Sequence, residues 1–193
     1  MTLAPPLLRE SRMSQARIPD ATYRFQFNSG FTFADAARLV DYLADLGVTD
    51  VYASPILAAS TGSLHGYDVI DHSRLNPELG SEEDFADFSD RLQAARMGLL
   101  MDVVPNHMCV EGCANLWWND LRANAQSSAY AAYFDSDWEP PTPRLQGKER
   151  LPILGEQFGR VLEAAQIQVF FKSGCFFVTL GELHLPMAPR TFV

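Results

Sequence analysis

The sequence predicts an α/β fold in which parallel strands alternate with helices, and three observations indicate it. Residues 99–104 form a short apolar run around a single aspartate, a composition typical of a parallel strand buried on both faces. Upstream, two more strand-like segments alternate with two helix-like segments, as they do in βαβ units. After His107 the sequence changes to aromatic and proline-rich stretches with a hairpin pattern, so a second, β-containing part is expected.

The first two strands and the helix between them follow from local patterns. Aromatic and polar side chains alternate over residues 22–27, as they do along a strand whose two faces differ. Thr32 is a favourable N-cap for a helix over residues 32–46, where apolar residues recur at helical spacing. Residues 50–54 then predict a second short strand, which the following proline ends.

A long connection and a second helix lead to the third strand. Residues 56–80 combine glycine, proline and polar residues with little periodicity, which predicts a long functional loop. Ser81 begins a helix whose acidic first turn suits the helix dipole. Pro105 ends the third strand because it has no N–H to donate, and this places Asn106 and His107 at the carboxyl end of that strand. Parallel α/β folds keep their binding and catalytic side chains at this end.

Charge and composition exclude several classes of partner. The formal net charge is −9 and no long block of like charge occurs, so neither a nucleic acid nor an anionic membrane is expected as a partner. No apolar run approaches the roughly 20 residues of a membrane helix. Residues 1–17 lack the charge order of a secretory signal and predict a flexible extension of a cytoplasmic protein. The three cysteines lack zinc-type spacing, and no metal or cofactor is predicted.

Three motifs carry a resemblance to a known family. Asp-Val-Val-Pro-Asn-His at 102–107 resembles the first signature region of the α-amylase superfamily of glycoside hydrolases. Together with Thr-Tyr-Arg-Phe-Gln-Phe at 22–27 and His-Gly-Tyr-Asp-Val at 65–69, it is similar more narrowly to the maltooligosyltrehalose synthase family. The resemblance runs from about Ile18 to Val193 and includes several separate motifs in the right order.

The resemblance implies a domain organisation. Residues 18–107 would form the amino-terminal part of a (β/α)8 TIM barrel, with about three strands and two helices. Residues 108–193 would form an incomplete β-containing subdomain inserted after the third strand, with a hairpin of 166–171 and 175–180. The family's nucleophilic aspartate, general-acid glutamate and third carboxylate follow later strands. No residue of this chain is therefore expected to be catalytic.

The resemblance also implies which residues bind substrate. His107 would lie at the glucose subsite on the non-reducing side of the cleaved bond, where a neutral imidazole offers one donor and one acceptor to sugar hydroxyls. Tyr67 would stack on a glucose ring while Asp68 accepts hydrogen bonds from its hydroxyls, and His65 precedes them in the same binding loop. Asn106 would support the site, since it resembles the asparagine that joins the inserted subdomain to the barrel in calcium-binding amylases.

Asp102 would also support the site. It resembles the family's buried aspartate that orients an arginine near the nucleophile. Because that arginine is expected from a part of the barrel outside this chain, Asp102 is predicted to be an unpaired buried carboxylate with a raised pKa. The alternative is an ion pair that matters only for folding.

Structural roles remain open for the other residues. His107 could cap the strand end, and Tyr67 could pack beneath the barrel rim. Trp117 and Trp118 could stack on successive sugars, but the core of the inserted region is the favoured interpretation. Adjacent residues point in different directions, so at most one of the two tryptophans can face a ligand.

The function implied for the intact protein is isomerisation. The reducing-end α-1,4 linkage of a maltooligosaccharide, the expected partner, would become an α,α-1,1 linkage. The alternatives are a fragment of an α-amylase-type glucan hydrolase and a glucan-binding remnant without catalytic activity.

Overall fold

Parallel strands backed by helices form the first half of the molecule. The computed structural model describes residues 18–110, 114–148, 150–172 and 175–188. In chain order the strands are β1 (Thr22–Phe25), β2 (Asp50–Ala53), β3 (Leu57–Ala59), β4 (Val69–Leu75), β5 (Gly98–Met101), β6 (Ile167–Lys172), β7 (Cys175–Leu180) and β8 (Leu183–Pro186). The α-helices are α1 (Phe33–Ala37), α2 (Val40–Asp45), α3 (Glu82–Ala94), α4 (Leu116–Asn124) and α5 (Phe158–Glu163). Strands β1, β2 and β5 pair in parallel in that order.

The two faces of this parallel sheet differ in chemistry. On one face Phe25 and Val51 pack against α1, α2 and α3, and Phe27, Phe33 and Phe88 complete a core of aromatic rings in tilted and edge-to-face contact. Burial of these apolar side chains is the main favourable contribution to folding. The register places Arg24 beside Tyr52 and Tyr52 beside Leu100 on the opposite face. Polar side chains therefore collect on the face that the helices do not cover.

The predicted first helix is present but divided. Thr32 caps α1 as predicted, because its side chain accepts a hydrogen bond from the N–H of Asp35 while the Asp35 carboxylate accepts one from the N–H of Thr32. The predicted single helix over 32–46 is wrong, since the chain forms α1 and then α2. Leu39 donates its N–H to the Ala36 carbonyl three residues back, and this tighter turn separates the two segments.

The predicted loop over residues 56–80 contains two strands. Strands β3 and β4 pair antiparallel with irregular register at Ala58, and a 3-10 helix follows at Pro77–Leu79. The bulged pairing explains the error, because an irregular strand lacks the clean two-residue alternation that identifies strands in a sequence. The segment is therefore a folded hairpin-like excursion from the carboxyl end of β2.

The third parallel strand is shorter and more exposed than predicted. β5 ends at Met101, and the side chains of Leu100, Met101 and Val103 are 42%, 54% and 62% exposed. The expectation of burial on both faces is wrong for this chain, because β5 lies at the edge of the sheet and pairs with β2 alone among the described strands. An apolar run is buried on both sides only where neighbouring elements cover both sides.

The predicted hairpin in the second half is confirmed. β6 and β7 pair antiparallel from Ile167 and Leu180 to Lys172 and Cys175, and β8 adds a third strand. The same region also contains α4 and α5. Residues 173–174 of the predicted turn lie outside the described residues, as does the predicted extension over 1–17. The domain boundary after residue 107 stays a prediction.

Candidate functional site

Asp102 is the centre of a hydrogen-bonded network at the carboxyl end of the parallel strands. Its Oδ2 atom accepts hydrogen bonds from Tyr52 Oη at 2.8 Å and from Tyr67 Oη at 2.5 Å. The Nη1 atom of Arg24 lies 3.6 Å from the same oxygen, and Arg24 Nη2 donates to Tyr67 Oη at 3.2 Å. The guanidinium also lies 4.7 Å from the centroid of the Tyr52 ring. Side chains from β1, β2 and one loop thus converge on the carboxylate that follows β5.

The structure overturns the prediction that Asp102 is unpaired with a raised pKa. The hydrogen bonds from Tyr67 and Tyr52 and the nearby Arg24 charge lower the pKa of the Asp102 carboxyl, although partial burial opposes the shift. The hydrogen bond to ionised Asp102 raises the pKa of Tyr52, because the carboxylate holds the hydroxyl proton, and the nearby Arg24 charge opposes this shift. The cationic partner of Asp102 is Arg24 on β1, whereas the sequence analysis expected an arginine from outside this chain.

This pairing predicts a pH-dependent effect of Asp102→Asn. The folded-state pKa lies below the ordinary 3.8, so the ionised carboxylate stabilises the fold above that pH and the contribution disappears as the pH falls through the lowered value. We expect Asp102→Asn to lower the free energy of unfolding by about 1–2 kcal/mol at pH 7. The difference from wild type should shrink below about pH 4. Urea unfolding at pH 7, 5 and 3 measures this.

The exposed carboxylate of Asp45 provides the matched control for this experiment. Asp45→Asn removes the same charge on α2 without removing a contact to Arg24, Tyr52 or Tyr67. We expect Asp45→Asn to change the free energy of unfolding by less than about 0.5 kcal/mol. A cost of Asp102→Asn that stays constant from pH 7 to pH 3 would contradict the assignment.

The loop that carries Tyr67 is held against β1. Gln26 Nε2 donates to the carbonyl oxygens of Leu64 at 3.2 Å and His65 at 3.4 Å. Gly66 has a φ of 76°, and a Cβ there would lie 2.7 Å from the carbonyl oxygen of Pro55. A side chain at this position would clash with the backbone, so the loop requires glycine. Two sets of contacts therefore position Tyr67. Gln26 holds the backbone of its loop, and Asp102 holds its hydroxyl.

His65 and Asp68 flank Tyr67 as predicted. The Nδ1 atom of His65 accepts the N–H of Tyr67 at 3.1 Å and lies 3.7 Å from Asp68 Oδ1, and the His65 ring stacks on the Tyr67 ring. A neutral imidazole that accepts at Nδ1 carries its proton on Nε2, so His65 presents a donor from an exposed ring. Asp68 Oδ1 accepts a hydrogen bond from Ser63 at 2.5 Å. The three residues offer a donor, a ring and an acceptor side by side.

His107 lies within contact of the same loop. Its Nε2 atom is 3.2 Å from the carbonyl oxygen of Tyr67, and its Nδ1 atom is 3.2 Å from Asn106 Oδ1. A neutral imidazole has one N–H, so His107 can donate to only one of these two oxygens, and both of its ring nitrogens face atoms of the chain. The structure thus brings His65, Tyr67, Asp68, His107, Asn106 and Asp102 to one edge of the sheet.

The two tryptophans point in different directions, as expected from their adjacency. Trp118 is 8% exposed and contacts Phe134 and Arg122, which agrees with a role in the core. Trp117 is only partly buried and lies parallel to Tyr130, with a centroid distance of 5.1 Å and an interplanar angle of 11°. The core interpretation therefore holds for Trp118, whereas Trp117 belongs to an aromatic cluster with a partly open surface.

Sequence reasoning missed Arg24, Tyr52 and Gln26. Each faces the polar side of the sheet, and each fixes Asp102 or the Tyr67 loop. The polar side of the alternation over 22–27 could have indicated Arg24 and Gln26, and a tyrosine inside an apolar strand could have indicated Tyr52. Their partners lie far away in the sequence, and no local pattern reveals such pairing.

No group of three or more His, Cys, Asp or Glu side chains in the described part of the chain could hold a metal ion. Among the described helices, none combines the length and apolarity that crossing a membrane requires.

Two relatives and one solved structure are similar to most of this chain. A Mycobacterium tuberculosis (strain CDC 1551 / Oshkosh) protein named provisionally as a maltooligosyl trehalose synthase is 43% identical over 175 residues, which are 88% of this chain and 21% of that protein. Alpha-amylase SusG of Bacteroides thetaiotaomicron is 29% identical over 151 residues, or 77% of this chain and 21% of that protein. The structure of maltooligosyltrehalose synthase from Arthrobacter ramosus matches with a TM-score of 0.76 at 40% identity, covering 91% of this chain and 22% of that chain.

The chain spans about a fifth of the length of these relatives. The profile of the alpha amylase catalytic domain matches residues 36–170, from the first helix into the hairpin. A match over most of the chain, together with the solved-structure similarity, shows that the chain belongs to the α-amylase family of catalytic domains.

Proposed function

We propose that this chain is part of a maltooligosyltrehalose synthase. Residues 18–107 supply the first part of its (β/α)8 catalytic barrel, and residues 108–193 belong to a subdomain inserted after the third barrel strand. The observation that carries the proposal is the extent of similarity: 43% identity over 88% of the chain for the relative that bears the synthase name, against 29% over 77% for the α-amylase. The match to the relative with the synthase name thus extends over more of this chain, and the sequence identity within the matched residues is also higher.

The proposed reaction rearranges one linkage without net hydrolysis. A carboxylate of the intact protein displaces the reducing-end glucose from the α-1,4 linkage and forms a glycosyl-enzyme. The released glucose then attacks through its anomeric hydroxyl, which makes an α,α-1,1 linkage and regenerates the carboxylate. Substrate and product have the same atoms. Water must be kept from the glycosyl-enzyme, because its attack would give hydrolysis instead.

The residues of this chain bind and orient the sugar in this proposal. Tyr67 contacts the apolar face of a glucose ring, and Asp68 and His65 accept from and donate to its hydroxyls. The exposed ring of His107 lies beside the Tyr67 loop and contacts the same sugar. The hydrogen bonds of Asp102 to Tyr52 and Tyr67 stabilise the position of the binding loop, so the site is formed before the substrate arrives.

A reducing-end assay distinguishes the proposed isomerisation from hydrolysis. The test protein is the Arthrobacter ramosus synthase with its matching segment replaced by residues 18–188 of this chain. With maltopentaose, isomerisation removes the reducing end and leaves the chain length unchanged. Hydrolysis creates a new reducing end and shortens the sugar. We expect reducing ends to decrease.

The isolated 193-residue chain serves as the comparison in the same assay. We expect no change in reducing ends above a mock preparation, because none of its residues is assigned as nucleophile or general acid. A folded replacement protein that increases reducing ends would support the α-amylase alternative. One that binds maltopentaose without altering it would support the glucan-binding alternative.

A further inference from the structure

Asn115 is a buried amide between the segment that follows β5 and the start of α4. The residue is only 2% exposed. Its Oδ1 atom accepts the N–H of Trp118 at 3.0 Å, so Asn115 is the N-cap of α4. Its Nδ2 atom donates to the carbonyl oxygen of Cys109 at 2.8 Å. One side chain thus connects the first turn of α4 to the segment that carries His107.

The segment that Asn115 holds also lies along the loop that carries Tyr67. Cys109 donates its N–H to the Val69 carbonyl oxygen at 2.8 Å. The Nε2 atom of His107 lies 3.2 Å from the Tyr67 carbonyl oxygen. Residues 107 and 109 therefore lie beside residues 67 and 69. The Cys109 backbone is held from two directions, because Val69 accepts its N–H and Asn115 donates to its carbonyl oxygen.

Burial makes the contact between Asn115 and Cys109 costly to lose. A buried carbonyl oxygen that loses its donor pays the cost of its lost hydration, and hydrogen bonds are electrostatically stronger in the interior than in water. Without the Nδ2 group of Asn115, we expect the Cys109 backbone to move. His107 is two residues away in the same segment, so it would move as well. The exposed Asn106, by comparison, contacts its neighbour His107 through Oδ1 at 3.2 Å.

We propose that Asn115 is a positioning residue for His107, an inference that rests on the proposed function. Asn115 is buried and does not contact the sugar itself. By holding the Cys109 backbone, it fixes the place of His107 beside the Tyr67 loop. A misplacement of about 1 Å can lower the rate of an enzyme roughly 100-fold, because the reacting groups must be precisely oriented. The effect of Asn115 on turnover therefore passes through His107.

A double-mutant cycle in the replacement protein described above tests this coupling. Asn115→Ser keeps an N-cap for α4, since serine and asparagine are similar caps, but the shorter side chain does not reach the Cys109 carbonyl oxygen. We expect Asn115→Ser to lower kcat/KM for maltopentaose about tenfold. In the His107→Ala background the same substitution should change kcat/KM by less than about twofold, because the group that Asn115 positions is already absent.

Asn76→Ser is the matched control for the loss of a buried asparagine cap. Asn76 is 4% exposed and caps the 3-10 helix at Pro77–Leu79, where its side chain accepts the N–H of Glu78 at 3.0 Å. We expect Asn76→Ser to keep kcat/KM within about twofold of wild type. If the thermal melt shows that Asn115→Ser does not fold, Asn115→Thr takes its place in the cycle, since threonine is also an N-cap and fills more of the space.

The outcomes separate this proposal from the proposed function. Equal losses of kcat/KM from Asn115→Ser in the wild-type and His107→Ala backgrounds would overturn the positioning role, because Asn115 would then act on the fold and not on His107. An unchanged kcat/KM in Asn115→Ser alone would overturn it too. The cycle can follow either reaction, so hydrolysis by the replacement protein would refute the synthase proposal while the coupling of the two residues is still measured. If that protein binds maltopentaose without turnover, the same cycle is measured as Kd by calorimetry.

Discussion

Replacing His107 by alanine is expected to lower kcat/KM for maltopentaose by roughly 10- to 1000-fold in the replacement protein described above. The reason is the position of the ring, which is exposed and contacts the carbonyl oxygen of Tyr67. A hydrogen bond from this ring to the sugar that tightens in the transition state contributes to kcat as well as to binding. Initial rates of reducing-end loss over a range of maltopentaose concentrations measure the effect.

His184 offers a matched histidine control for this experiment. It lies on β8, where it contacts Phe170, and it has no contact with the Tyr67 loop or with Asp102. We expect His184→Ala to keep kcat/KM within about twofold of wild type, since surface changes away from a site have small effects. His107→Ala should leave the melting temperature nearly unchanged, because the ring is exposed. A variant that melts much lower but turns over normally would assign His107 to structure instead.

Phe88→Ala is expected to lower the free energy of unfolding by about 3–5 kcal/mol. Phe88 is fully buried on α3, and its ring lies 6.3 Å from Phe25 and 6.0 Å from Phe27 on the strand side of the core. The substitution leaves a cavity between the helix and the sheet that rigid neighbours cannot fill. Urea unfolding followed by tryptophan fluorescence measures the change.

Phe171→Ala is the control with the same chemical change. The Phe171 side chain is 62% exposed on β6, so its loss should cost less than about 1 kcal/mol. If Phe88→Ala does not fold, Phe88→Leu keeps most of the volume and should cost about 1–2 kcal/mol. Equal costs for Phe88→Ala and Phe171→Ala would show that the aromatic cluster is not the core of the fold.

The elements that the sequence predicted well have signals within a few residues. Thr32 and Ser81 each cap a helix as predicted, and in the structure each also forms a capping box with the aspartate three residues later. Strands β1 and β2 and the hairpin of β6 and β7 form in the segments where local patterns predicted strands. The resemblance to the family, carried by the motifs at 22–27, 65–69 and 102–107, is confirmed by the relatives and solved structures. These features need no knowledge of distant contacts.

By itself the sequence determined the parallel α/β class, the family and the group of residues that meet at the carboxyl end of the strands. Only the tertiary structure decided the state of Asp102, because Arg24, Tyr52 and Tyr67 come from three other segments. Their pairing gives a lowered pKa where a raised one was expected. The tertiary structure also decided how exposed β5 is and that residues 56–80 contain β3 and β4. A carboxylate's charge state and a strand's burial depend on what surrounds them in space, and local periodicity and spacing do not encode those surroundings.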